Sequence, residues 1–147
     1  MGRSTDTTYT HVLENSLAGC YIVTAIDSNE NESSADDIVC VDNCPCYILP
    51  NVFTPNGDGA NDLFTPILPY RFIDHVEMQI FNRWGNQVFE TTDPDLNWNG
   101  TDMKSGKALN DGVYYYTCAV QELRVDGVQP RSEVLKGYIH LIIGKSK

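Results

Sequence analysis

The chain has 147 residues, 41% of them hydrophobic and 20% charged, with a formal net charge of -10 and a sequence pI near 4.5. That length and apolar content suffice for a buried core in one domain, or in one domain plus a fragment, and speak against disorder of the whole chain. The acidity argues against a nucleic-acid backbone or an anionic membrane surface as partner, because both attract basic proteins. No apolar run approaches the roughly 20 residues that span a bilayer, and the opening MGRST lacks the regions of a signal peptide, so residues 1–4 read as an expression scar.

Runs rich in Val and aromatic residues alternate with clusters of Gly, Pro, Asn and Asp, and no apolar i, i+3, i+4, i+7 pattern is long enough for a helix, so the chain reads as all-β. The first two predicted strands run from Cys20 to Asp27 and from Asp36 to Val41, joined by the turn-forming SNENESSA. Four of the five cysteines, Cys20, Cys40, Cys44, Cys46 and Cys118, lie in the first 46 residues, which poses a choice between disulfides, zinc and a reactive thiol. Zinc is disfavoured, since Cys44 and Cys46 have a single residue, Pro45, between them and no His nearby, and a disulfide framework fits better. Disulfides place the chain in an oxidising, extracytoplasmic setting. Cys20 and Cys40 form the preferred bridge, each in a strand-like run on either side of a turn; the pairing of the other three stays open. This segment resembles the end of a fibronectin type III or immunoglobulin-like repeat, with LAGCY at Leu17 to Tyr21 placing a Tyr at the corner before a central strand. A strand pair alone is marginally stable, so it must pack on its neighbour, pair with another chain or stay mobile.

Asn43 to Pro50 reads as a stiff junction, with two Pro and two Cys. A second set of strands follows: Tyr47 to Phe53; His75 to Phe81, with Val76, Met78 and Ile80 on one face; and Gln87 to Thr91, returning antiparallel after a Gly-Asn turn. The loop from Thr92 to Gly112 is long for a compact domain, hence functional or pinned by its own Trp98. The strongest strands come last. Val113 to Val125 aligns Tyr114, Tyr116, Cys118 and Val120, and after the Asp126–Gly127 turn Val134 to Ile143 aligns Leu135, Ile139, Leu141 and Ile143.

Catalysis finds no starting point in this pattern. His75 and His140 fall on the polar sides of their strands, His11 lies outside the strands, and no G-x-S-x-G elbow, Walker loop or H-E-x-x-H occurs. The loop NVFTPNGDGANDLF, Asn51 to Phe64, invites comparison with a calcium site but contains no Glu for a bidentate ligand. A looser calcium cage would use Asn56, Asp58, Asn61 and Asp62; the stronger reading is a folded turn in which Gly57 and Gly59 supply positive φ and the Asn and Asp side chains bond nearby amides. Trp84 and Trp98 could stack on a sugar, although core packing is the commoner use of Trp in such a domain.

Five ordered motifs carry a resemblance. LPNVFTPNGDGANDLF (Leu49 to Phe64), IFNRWGNQVFET (Ile80 to Thr91), WNGT (Trp98 to Thr101), DGVYYYTCAV (Asp111 to Val120) and GYIHLIIGK (Gly137 to Lys145) resemble, in order and spacing, the gliding-motility-associated C-terminal domain, and CVDNCPCY (Cys40 to Tyr47) looks like the junction before it. The resemblance implies an immunoglobulin-like antiparallel β-sandwich over residues 47–147, preceded by an extra strand pair in residues 5–46 from an immunoglobulin- or fibronectin-like repeat. It also implies a type B sorting signal of the type IX secretion system. Such a signal would be non-catalytic and would carry a large surface adhesin or other exported protein across the periplasm and outer membrane to the cell surface, by way of the general translocon and a dedicated outer-membrane partner protein. Many members have a Cys shortly before the DGVYYY motif, where Lys107 to Asn110 has none, which leaves the partner of Cys118 open, with Cys46 a candidate. Gly137, Tyr138, His140, Ile142, Lys145 and Lys147 are the expected partner contacts, presented by a last strand that adds its edge to the receptor. The alternative is an adhesive module holding calcium or glycan, and the spacer reading is set aside because the motifs run to the end of the sequence.

Overall fold

The computed structural model describes residues 2, 4–6, 8–12, 16, 18–35 and 38–144, and among them there are strands, bridges, turns and loops but no helix. Strands β1 (Gly19–Ile22) and β2 (Ile38–Val41) form a two-stranded sheet. A six-stranded sheet is built from β3 (Val52–Phe53), β4 (Ile73–Phe81), β5 (Gln87–Thr91), β6 (Gly112–Arg124), β7 (Gly127–Pro130) and β8 (Leu135–Leu141), in the order β3-β8-β6-β4-β5 with β7 also on β6.

In the small sheet Cys20 lies opposite Cys40 and the two are disulfide-bonded, as the flanking strand patterns predict. The predicted strands are longer than the observed ones. Beyond Ile22 the first strand continues only as a bridge from Ile26 to Glu32, because the Asp27 carboxylate accepts the amides of Asn29 and Asn31 and closes the turn. Asp36, the predicted start of the second strand, and Leu17 of the LAGCY motif lie outside the described residues. Ile22, Val23, Ile38, Val39 and Val41 are exposed.

Period-2 alternation puts Val76, Met78 and Ile80 of β4 and Tyr114, Cys118 and Val120 of β6 in the core, with Tyr116 packed against it. Bulges adjust this pattern. Ile73 faces Glu122 while His75 faces Gln121, so Asp74 is an extra residue that lets Ile73 join the buried side three positions before Val76. On β5, Phe89 faces Ile80 and Gln87 faces Phe81, which makes Val88 the extra residue and lets Val88 and Phe89 both reach the core. The return from β6 is also interrupted. Gln121 faces Pro130 but Cys118 faces Leu135, so residues 131–134 stand against only 119 and 120, and the predicted last strand is preceded by the short β7. Ile143, predicted on the inner side, is exposed, and its amide donates to Asp111 Oδ1 at 2.6 Å.

The predicted strand from Tyr47 to Phe53 shrinks to Val52–Phe53, which pairs parallel with β8. Pro50 has no N–H to donate, and the residues before it turn over the inner face instead, where Tyr47 is buried with its hydroxyl donating to Pro94 O at 2.5 Å. That covering layer is held by isolated bridges, Cys46 to Arg71, Phe64 to Trp98 and Thr101 to Ala108. Trp98 is its centre. The side chain is 1% exposed, its ring lies 5.1 Å from that of Phe53, 5.8 Å from Tyr114 and 5.9 Å from Phe89, and its indole N–H donates to Thr101 O.

Cys118 lies between Met78 and Leu135 in the sheet and is buried and free, while Cys44 and Cys46 are exposed and free. The suggested Cys46–Cys118 pairing is therefore not made: Tyr47 points into the core and its neighbour Cys46 points out, as alternation requires. Burial pushes the Cys118 thiol up to about 12. An alkylating reagent at neutral pH should modify Cys44 and Cys46 in the native chain and Cys118 only after denaturation, read by mass spectrometry; equal native labelling of Cys118 would contradict the packing.

Candidate functional site

The Gly-rich loop is satisfied from within. Asp62 accepts the amides of Gly57 at 2.6 Å and Gly59 at 2.8 Å, Asp58 accepts the amide of Ala60 and the Asn56 side-chain amide, and the Asn56 side-chain oxygen accepts the amide of Asp58. Asn61 sits at φ 55, the left-handed region that Asn tolerates. The amides of Ala60 and the Asn56 side chain hold the Asp58 carboxyl below its ordinary range. These oxygens cap amides rather than converge on a cation, and among the described residues no group of three or more His, Cys, Asp or Glu is placed to hold a metal. Calcium added to the purified chain should accordingly leave its melting temperature unchanged, measured by thermal scanning with a chelator control; a rise would support the cage of Asn56, Asp58, Asn61 and Asp62.

Trp98 is core and turns no face to a ligand, which removes it from a sugar platform, whereas Trp84 at the β4–β5 turn is 72% exposed beneath the Arg83 guanidinium at 4.5 Å. The histidines are dispersed: His11 packs edge-on to Tyr21, His75 pairs with its neighbour Asp74 at 2.7 Å, and His140 packs edge-on to Tyr138.

Strand β8 divides the predicted partner contacts. Gly137 lies on the inner side, where an added Cβ would come 2.7 Å from the Tyr116 hydroxyl, so the Tyr116 ring covers it and a larger residue would have to displace that ring. Lys136, Tyr138 and His140 point outward, and Ile142 just beyond the strand is exposed as well. Lys145 and Lys147 lie outside the described residues. The edge expected to accept a strand is partly taken: His140 donates to Asn51 O at 2.8 Å and Ile142 to Phe53 O at 3.2 Å. Since those amides point away from β6, the pairs His140–Val113, Tyr138–Tyr115 and Lys136–Thr117 are of the non-hydrogen-bonded kind, in which facing side chains are closest. Among the described residues no strand pairs with the outer edge of β8 from Leu135 to Ile139.

A polar cluster that the motifs did not reveal joins the two sheets. Glu122 is buried, accepting from Arg124 at 2.6 Å and from Arg131 at 2.9 Å. Arg124 also reaches Asn43 O and Asp42, Asp42 accepts the amide of Val125, and Asn43 donates to Leu123 O while accepting the amide of Ala18. Its signal was present in the sequence. Glu122 continues the inward series Tyr114, Tyr116, Cys118 and Val120, and an inward carboxylate with Arg124 and Arg131 nearby calls for a buried ion pair.

A family model, the CHU_C type IX secretion signal domain, matches residues 47–141. The chain belongs to this family. Searches of the curated proteins and of the solved structures give no match. The type IX secretion signal domain begins at Tyr47, the first buried residue after Asn43, and ends at Leu141, the last residue of β8, so the match takes in the whole six-stranded sheet. The β1–β2 sheet and the Asp42 and Asn43 anchors lie before it. Membership implies export, with placement at the cell surface or outside the cell, and interaction with the secretion system. Among the described residues no helix is long and apolar enough to cross a membrane.

Proposed function

We propose that the chain carries a non-catalytic C-terminal sorting signal that directs a surface adhesin or other exported protein through the type IX secretion system, across periplasm and outer membrane, to the cell surface. Residues 47–147 form the signal, an immunoglobulin-like sandwich in which the bridged layer around Trp98 serves as the second face, and residues 5–46 are the end of a preceding repeat plus junction. A dedicated outer-membrane protein reads the signal after folding. The observation that carries this reading is the coincidence of the secretion-signal match, 47–141, with one continuous sheet and its core.

A secreted reporter fused ahead of the full chain, and a second fused ahead of residues 47–147, should appear on the surface of a host that has the system and remain inside an otherwise identical host lacking the translocon. Retention of both fusions in both hosts would overturn the reading. Deleting Gly137 to Lys147 is a poor test, because it strips Ile139 and Leu141 from the core and unfolds the domain whatever its role.

A further inference from the structure

We propose that the export partner docks face-on, over an aromatic patch on the outer side of the six-stranded sheet centred on Tyr115 and Tyr138, and not by adding a strand to its edge. This rests on the sorting-signal reading and specifies its contact surface.

The patch is assembled by register. Phe81 of β4 faces Tyr115 of β6, which faces Tyr138 of β8, giving an aromatic row across three adjacent strands. One step along, Val113 of β6 faces His140 of β8, which faces Val52 of β3. Tyr115 is 52% and Tyr138 47% exposed, Val52, Val113 and Ile142 are exposed, and Phe81 is half-buried. The other half of the same face is ordinary solvated sheet: Gln79 opposite Thr117 opposite Lys136, then Glu77 opposite Ala119. An apolar surface drawn from four strands, beside a polar half that needs no partner, is the signature of a contact site.

Charge selects the occupant. The chain has 20 acidic residues against 10 Lys and Arg, yet neither row of the patch contains a carboxylate, and Lys136 borders it. A folded protein surface with an apolar centre and an uncharged rim fits there. A second copy is disfavoured because two chains of net charge -10 repel. Edge addition is the weaker geometry, since β3 already occupies β8 at His140 and Ile142. Tyr115 separates the two modes: it sits on β6, flanked by β4 and β8, where a strand added to the edge of β8 would not meet it.

The test uses the full chain fused to a surface-displayed reporter, with Tyr115→Thr and Tyr138→Thr singly and together, threonine keeping the strand preference. The double variant should lose surface display by about tenfold or more, the scale of a lost aromatic hot spot, while its melting temperature stays near that of the parent and a Glu77→Gln control is displayed normally. If the double variant melts much lower, the near-isosteric pair Val52→Thr and Val113→Thr replaces it and should also reduce display. Parent and folded variants displayed equally would overturn the face-on contact and leave the sorting reading intact; a parent that is itself never displayed would overturn the sorting reading. Loss of display by Tyr138→Thr with none by Tyr115→Thr would return the contact to the strand edge. A parent that sediments as a dimer and a double variant that sediments as a monomer, or selective retention of the parent on insoluble polysaccharide, would assign the patch to self-association or to glycan and overturn the proposal.

Discussion

Trp98→Ala will remove about 3–5 kcal/mol of folding stability, the range for deleting a fully buried large aromatic. The position sets this effect apart from other core truncations. Trp98 does not stand on a strand; from the segment between β5 and β6 its ring packs against Phe53, Phe64, Phe89 and Tyr114 together. Its loss also orphans the Thr101 carbonyl that the indole N–H satisfies. Two residues on, Gly100 stands at φ 77 with Leu141 Cδ1 only 2.9 Å from where its Cβ would lie, so the same turn runs close against β8. Since domains of this size carry a total of about 5–15 kcal/mol, a large part of the reserve should go. Chemical denaturation followed by circular dichroism measures it, and a loss below about 1 kcal/mol would mean that the covering layer contributes little to the core. Trp98→Phe, which keeps a ring without the donor, should lose less.

Glu122→Ala should rank second, at roughly 3 kcal/mol, the low end for removing one member of a buried ion pair. The low end applies because Arg124 and Arg131 are partly exposed and can turn their guanidinium groups to water. The distribution of the effect is the sharper test. Arg124 also holds Asn43 O and Asp42, 81 and 82 residues away in sequence, so hydrogen exchange should rise not only at β6 and β7 but in the β1–β2 sheet that those residues adjoin. Exchange confined to β6 and β7 would show that the cluster does not couple the sheets. Acid should act on the same joint. The amide of Val125 is the chief cause holding the Asp42 carboxyl below its ordinary 3.8. A depressed folded value means that the contribution of Asp42 is complete above about 3.8 and is lost as pH falls through the lower value. The joint therefore holds at pH 5 and loosens only in stronger acid.

Much of this was legible because a half-buried strand prints its burial into alternate residues. Val76, Met78 and Ile80, and Tyr114, Cys118 and Val120, could each be placed together on one face from the chain alone, and both sets are buried. The alternation failed where the backbone inserted a residue. Asp74 and Val88 are bulges, and nothing in DHVEM or NQVFE marks them, because a bulge is a mismatch with a partner strand and not a property of its own segment. The shrinkage of the Tyr47 strand has the same origin: its partner is Arg71 at Cys46 and β8 at Val52, two elements remote in sequence. Glu122 could have been found from its phase. The outer row could not, since Phe81, Tyr115 and Tyr138 become neighbours only once three strands have chosen their registers.

The parallel pairing of β3 with β8 carries a mechanical consequence. A pull between the segment before Tyr47 and the residues after Leu141 acts in opposite directions along two strands that run the same way. Their hydrogen bonds, at His140 to Asn51 and Ile142 to Phe53, then bear the load side by side in shear rather than opening one after another. Behind them the full β6–β8 ladder, from Gly112 opposite Leu141 to Cys118 opposite Leu135, resists the same displacement. A load applied between these two ends is thus met by hydrogen bonds that must yield together, which makes the β3–β8 pair a shear clamp within the domain.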